Sequence, residues 1–241
     1  MLVLVCIIKV GGAVFGGEGE EGKRRIEDFA QRIERFVEEG RRAIIVVGGG
    51  QRARGDIERA LMENPGLSTD ELDRIGINAT IENAVEAQCS IPGSAESIWT
   101  KMPTEEQIRS FLCGEKKKVQ LVSGWKPGMS TDAVAVMLQA TLLQDDFRKL
   151  ASPFMIKVTF SPLMISKTDR AHRWVRLSEM SEEQGEIVPG GSYPFDPVAV
   201  SLALEHGISV IIGRVDHFME ERDGTFYTFD KFIKKGTIIT P

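Results

Sequence analysis

The stretch Ala43-Ile44-Ile45-Val46-Val47-Gly48-Gly49-Gly50 is a short, wholly apolar run that ends directly in three glycines. Unbroken apolarity suits a strand covered on both faces, as in a parallel sheet, whereas a half-exposed strand alternates. Working outward, residues 2–8 form a similar run ending in Lys9-Val10-Gly11-Gly12, and residues 119–122 lead into Gly124-Trp125-Lys126-Pro127-Gly128. Helical spacing fills the gaps. Ile26, Phe29, Ala30, Ile33, Phe36 and Val37 mark one amphipathic face, closed by Gly40. Residues 53–62 predict a second helix, stopped by Asn64-Pro65-Gly66. Ser68-x-x-Glu71 is a capping box for a third, running to Ala87, and Thr104-x-x-Gln107 caps a shorter one.

Residues 133–143 are apolar nearly all round and predict a buried helix, and residues 154–160 a fourth strand. Asp196-Pro197 places a capping carboxylate before a proline at the first helical position. That helix reaches Glu205 and is followed by Gly207 and a strand at 208–212. The polar, glycine-rich stretch 16–22 is expected to be a loop. This alternation predicts an α/β protein, a three-layer α/β/α sandwich on a mainly parallel central sheet.

The 241 residues, 42% hydrophobic and 27% charged, fit one globular domain spanning 1–241 and exclude disordered, fibrous and disulfide-scaffold classes. A net charge of −5 gives no bulk attraction to nucleic acid or to an anionic membrane. Cys6, Cys89 and Cys113, and His172, His206 and His217, are scattered without ligand spacing, so neither a metal site nor a disulfide framework is expected. They read as packed thiols and surface imidazoles in a cytoplasmic protein. The apolar start is interrupted by Lys9 well short of a membrane span and lacks the flanks of a signal peptide.

In open parallel sheets, ligands sit at the carboxyl ends of strands, where loops feed helix N-termini. Three glycine-rich turns are expected there, each with a basic neighbour: Lys9, Arg52 with Arg54, and Lys126. Glycine admits close backbone approach, and free N–H groups at a helix start favour an anion, so a phosphate-rich ligand is expected. The P-loop, dinucleotide and nucleophile-elbow signatures are absent. Beside these readings stand plainer ones: Lys9 as a solvated strand-end residue, Arg52 as a surface residue, Asp73 as a helix-surface acid, Asp132 as a helix-dipole partner and Asp196 as a cap.

Several of these segments together resemble the archaeal-type UMP kinases of the amino acid kinase family. The segment Ile44 to Arg54 resembles their UMP-phosphate loop. Asp73-Arg74-Ile75-Gly76-Ile77-Asn78-Ala79-Thr80 is similar to their ribose-contacting helix. Pro127-Gly128-Met129-Ser130-Thr131-Asp132-Ala133-Val134-Ala135 resembles the loop over the uridine, and Phe195-Asp196-Pro197-Val198-Ala199 and Gly236-Thr237-Ile238-Ile239-Thr240-Pro241 match in order. The resemblance implies the amino acid kinase fold, with 1–150 as the UMP-binding half and 151–241 as the ATP-binding half. It implies transfer of the ATP γ-phosphoryl group to UMP with Mg²⁺, in a homo-oligomer, hexamer or dimer. Gly49, Gly50 and Arg54 would hold the UMP phosphate, Asp73 the ribose and Thr131 the base side. Lys9 and Gly11 would face the transferring group, Asp132 would orient the basic groups or Mg²⁺, and Thr159 would belong to the ATP site.

One segment departs from the family. Where members carry Thr-Asn-Val-Asp-Gly-Val-Tyr followed by Asp-Pro, this chain reads Thr159-Phe160-Ser161-Pro162-Leu163-Met164-Ile165-Ser166-Lys167-Thr168-Asp169. Thr159 is kept, but the Asp-Gly pair is lost to Pro162-Leu163, which removes an acidic contact and stiffens the turn. Ile81 also stands where many archaeal members have arginine. The sequence therefore leaves three functions open: a UMP kinase, a family member that binds a nucleotide or other anion without phosphoryl transfer, and a kinase of another small phosphate or carboxylate.

Overall fold

Adjacent parallel strands β1 (Val5–Val10) and β2 (Arg42–Val47) form the centre of the molecule, every residue of both buried. The computed structural model describes residues 4–15, 19–144, 147–159, 174–176, 195–215, 221–222, 225–226 and 237–241. Around the central pair lie β3 (Val119–Val122), β4 (Phe154–Thr159), β5 (Trp174–Arg176), β6 (Ser209–Arg214) and β9 (Thr237–Thr240), in the sheet order β3-β2-β1-β4-β6-β9-β5. A separate ribbon pairs β7 (Glu221–Arg222) with β8 (Thr225–Phe226). Every pairing in the large sheet is parallel except β6 with β9, which sequence periodicity did not reveal.

The helices are α1 (Gly19–Glu38), α2 (Gly50–Glu63), α3 (Thr69–Ser90), α4 (Glu105–Cys113), α5 (Thr131–Leu142) and α6 (Pro197–Glu205). Two apolar cores flank the sheet, as a three-layer sandwich requires. On one face Val5, Ile7, Ile44 and Val46 pack with residues of α4, α5 and α6. On the other Cys6, Ile8, Ala43 and Ile45 pack with α1 and α3. The capping boxes at Ser68 and Thr104 form as the sequence predicts, and Gly40 and Gly207 end α1 and α6 with φ of 85° and 63°. The expected loop at 16–22 is overturned in part. α1 already begins at Gly19, and Glu20 and Glu21 lie in its first turn, where acids favour the helix start. Residues 16–18 lie outside the described residues.

β3 ends the sheet on one side, but its outer edge is covered. Ala95 N–H donates to the Val119 carbonyl at 2.7 Å and Trp99 N–H to Leu121 at 3.0 Å, while Ser123 N–H returns to Trp99 at 3.2 Å. Segment 94–99 thus runs beside β3 through isolated bridges rather than a ladder. Arg42, buried below it, donates to the carbonyls of Phe111 (3.0 Å), Lys117 (2.5 Å) and Gly114, closing the C-terminal end of α4.

The turns after β1 and β2 touch backbone to backbone. A Cβ on Gly12 would lie 2.2 Å from the Gly50 nitrogen, and one on Gly50 would lie 2.3 Å from the Gly12 carbonyl carbon. Gly50 also has φ +60°, a conformation costly to any L side chain. Gly50→Ala is therefore expected to cost about 3 kcal/mol or to prevent folding, combining overpacking with left-handed strain. Gly128→Ala, at φ +74° but facing open space, is expected to cost about 1 kcal/mol. Urea unfolding measures both; equal costs would show that the two turns do not interlock.

Candidate functional site

The chain runs from β1 outward to β2 and β3, then returns to place β4 on the other side of β1. The order reverses between β1 and β4, and that switch point opens a crevice at the carboxyl ends of the two strands. Parallel register sets Lys9 of β1 directly beside Lys157 of β4. Both are buried, and both side chains turn to the face covered by α5. Two ammonium groups side by side repel, and one carboxylate answers both. Asp132, in the first turn of α5, lies 3.4 Å through Oδ1 from Lys9 Nζ and accepts a hydrogen bond of 2.5 Å through Oδ2 from Lys157 Nζ. The Asp196 backbone N–H also donates to Oδ2 at 3.3 Å.

The neighbouring elements hold this cluster in place. Ser130 caps α5 by accepting from the Ala133 N–H at 3.1 Å, which fixes Asp132 two residues on. Asp196 caps α6 by accepting from the Ala199 N–H at 3.1 Å. The Phe195 ring lies 5.4 Å from Lys157 Nζ, so its face backs the ammonium on a further side. Burial alone would raise the Asp132 carboxyl, but Lys157 and Lys9 outweigh it and hold it below the ordinary carboxylate range. Burial lowers the Lys157 ammonium despite its pairing, since it shares Asp132 with Lys9. Burial raises Asp196. Asp132 and the nearby Asp196 offset the two lysines, and the paired ammonium groups are the donors that a phosphate at the crevice would engage.

The glycine turns stand next to this charge. A Cβ on Gly48 would lie 3.2 Å from Lys9 Nζ, so the first glycine of the triplet adjoins the lysine. Gly48 N–H donates to the Val10 carbonyl at 3.0 Å, and Gly11 N–H to that of Val158 at 3.1 Å. Gly49 is the N-cap of α2, with no side-chain cap. The third turn joins from α3: the Gly124 N–H donates to Thr80 Oγ1 at 2.8 Å and the Gly128 N–H to Asp73 Oδ2 at 2.7 Å.

The sequence profile of the amino acid kinase family matches residues 5–144. The chain belongs to the amino acid kinase family. Among curated proteins it is 30% identical to the uridylate kinase of Natronomonas pharaonis over 210 residues, 86% of this chain and 87% of that one. It is 32% identical to that of Archaeoglobus fulgidus over 141 residues, 58% of this chain and 59% of that one. The crystal structure of the Archaeoglobus fulgidus uridylate kinase superposes with TM-score 0.69 over 98% of each chain at 23% identity. An aspartate kinase from Synechocystis superposes with TM-score 0.67, this chain covering 39% of it. The resemblance to archaeal-type UMP kinases and the expected fold are borne out.

Within this family fold, Lys9 and Asp132 meet directly, while Gly11, Gly49 and Gly50 lie in the turns at the same strand ends. Thr131 opens α5 beside Asp132, and Thr159 closes β4 two residues beyond Lys157 and on its side of the strand. Asp73 stands on α3 against the third turn. Arg54 lies in α2, exposed, with no hydrogen bond or ion pair among the described residues. Residues 160–169, where the sequence departs from the family, lie outside the described residues, as do His172 and His217.

The sequence missed Lys157. Its signal was the echo between Ile8-Lys9-Val10 and Ile156-Lys157-Val158, a cation at one register position in two apolar strands. Arg52 is not a plain surface residue, because it binds Asn83 and Glu86 of α3. Cys6 is buried, and burial pushes its thiol up to about 12. Cys89 and Cys113 are exposed rather than packed, and His206 is exposed. No helix of the described residues is long and apolar enough to cross a membrane.

Removing one partner of a buried charge cluster leaves the others uncompensated. Asp132→Asn is thus expected to cost about 3 kcal/mol at pH 7, measured by urea unfolding. Because the folded pKa of Asp132 is depressed, its contribution is complete above the ordinary aspartate value of about 4 and lost as pH falls through the lower folded value. The gap between wild type and variant should therefore close in that acid window. Asp196→Asn keeps a good cap and should cost less than about 1 kcal/mol at pH 7. The raised folded pKa of Asp196 reverses the sign, so its contribution is lost as pH rises.

Proposed function

We propose that this chain is a UMP kinase that transfers the γ-phosphoryl group of ATP to UMP, giving UDP and ADP. The observation that carries the reading is the convergence of Lys9 and Lys157 on Asp132 at the switch point, beside interlocked glycine turns. A phosphate oxygen of UMP forms the new P–O bond as the bond to the ADP β-phosphate oxygen breaks. The acceptor is already an anion, so the reaction asks for positioning and charge neutralisation, and no nucleophilic side chain is needed.

Gly49, Gly50 and Arg54 take the UMP phosphate, Asp73 the ribose hydroxyls and Thr131 the base side of the pocket. Asp73 has one oxygen on the Gly128 N–H, which leaves the other for a hydroxyl. Lys9 and Gly11, with Thr159, serve the donor phosphates, and Lys157 joins them. The ammonium groups of Lys9 and Lys157 suit a triphosphate, and in the adjoining turns a Cβ on Gly12, Gly49 or Gly50 would collide with the protein itself. Mg²⁺ shields the donor charges when bound. Asp132 has both oxygens turned to lysines, which favours its role in orienting the basic groups over that of a metal ligand. In this reading 1–150 is the acceptor half and 151–241 the donor half.

A homo-oligomer is part of the same proposal. The apolar face of α1 is consumed by the intrachain core, with Phe29, Ile33 and Phe36 fully buried. α3 keeps Val85 exposed and Ile75 and Ile81 half-buried, so α3 is the face proposed for the contact.

A second reading rests on Pro162-Leu163 in place of the family's Asp-Gly: an amino acid kinase family member that binds UMP without turning over ATP. Calorimetry with UMP, and separately with a non-hydrolysable ATP analogue and Mg²⁺, divides the two, followed by an assay for UDP. Binding of both and formation of UDP are expected; UMP binding alone would establish the binding protein, and binding of neither would refute both. Arg54→Ala is expected to raise the Kd for UMP at least about tenfold, the loss of one charged contact, with little change in unfolding midpoint.

A further inference from the structure

The turn that begins α2 is held from the opposite side to the four other helix starts whose caps lie among the described residues. α3, α4, α5 and α6 each begin with a side chain that accepts a first-turn N–H: Ser68, Thr104, Ser130 and Asp196. Such a cap consumes donors. At α2 the cap is Gly49, and no side chain accepts there. The turn is secured through its carbonyls instead. Asn83, fully buried on α3, donates from Nδ2 to the Gly48 carbonyl at 2.8 Å and to the Gly49 carbonyl at 3.1 Å.

The amide is itself oriented. Asn83 Oδ1 accepts from Arg52 at 2.6 Å, and Arg52 is anchored in turn by Glu86 at 3.2 Å and Glu82 at 3.6 Å. A guanidinium only donates, so it selects the oxygen end of the amide and turns the NH₂ towards the glycines. Arg52 belongs to the helix whose start is being held, so α2 helps to fix its own first turn through α3.

We infer that Asn83, oriented by Arg52, is the positioning residue for the acceptor phosphate. It fixes the Gly48 and Gly49 carbonyls on the α3 side and leaves the N–H groups at the start of α2 for phosphate oxygens. This rests on the UMP-acceptor reading of the same loop. The role acts on the phosphate alone, because the loop touches neither ribose nor base in that reading.

The test is a set of Kd values for UMP and for uridine on the full chain, with thermal midpoints, for wild type, Asn83→Ser, Arg52→Gln and Arg52→Lys. Serine keeps one donor but does not span two carbonyls. Asn83→Ser and Arg52→Gln are expected to weaken UMP about tenfold while leaving uridine nearly unchanged, with Arg52→Lys recovering part of the loss in affinity. The midpoint should be little changed in Arg52→Gln and lowered in Asn83→Ser by its lost buried hydrogen bonds. UMP and uridine weakened together, or UMP affinity unchanged in Arg52→Gln, would overturn the inference. If Asn83→Ser does not fold, Arg52→Gln decides, since its side chain lies towards the surface. Wild-type protein that fails to bind UMP would refute the acceptor reading itself, and the inference would fall with it.

Discussion

Everything at the strand ends depends on how one carboxylate serves two ammonium groups. β1 and β4 must lie side by side to complete the sheet, and their register brings Lys9 against Lys157 in a largely buried space. Without Asp132 that register would be electrostatically costly, and with it the register becomes a site. The requirement propagates outward. Asp132 must reach the sheet, so α5 must start where it does, and Ser130 sets that start. Asp196 adds its backbone N–H to the same carboxylate, which ties the beginning of α6 to the cluster. The caps of two helices are thus part of the charge arrangement rather than local decoration.

The second constraint is steric. Gly12 and Gly50 meet where side chains have no room, so the turns after β1 and β2 are locked at backbone contact distance. That lock brings the glycine triplet up to Lys9 and joins the charged crevice to the start of α2. Two kinds of order therefore meet in one place: an ion cluster fixes the lysines proposed for the donor, and a glycine contact fixes the loop proposed for the acceptor. Their separation along the chain is large, and only the sheet joins them.

Much of this was legible in the sequence because it rests on local rules. The apolar runs, the capping boxes at Ser68 and Thr104 and the Asp-Pro start of α6 need only neighbouring residues, and each appears as expected. Lys9 and Asp132 were legible through the family motifs. Lys157 was not, because its meaning comes from register across the sheet, which no single strand encodes. Asn83 was hidden for the same reason: an asparagine within a helix has no periodic signature, and its partners lie 35 and 34 residues away. The helix at Gly19 was missed because glycine and glutamate in sequence read as loop, although acids suit a first turn. β9 was missed as an antiparallel neighbour because a four-residue strand carries too little pattern to give its direction.

The covering of β3 by segment 94–99 has a bearing on how copies of this chain meet one another. A bare outer strand offers a row of unpaired backbone groups on which a second sheet can grow without limit. Here those groups already bond to an irregular segment that is bridged at isolated points and offers no ladder of its own. Sheet extension through this edge is blocked by the molecule's own backbone. Association from this side must proceed through side chains, which meet a finite complementary surface and then stop.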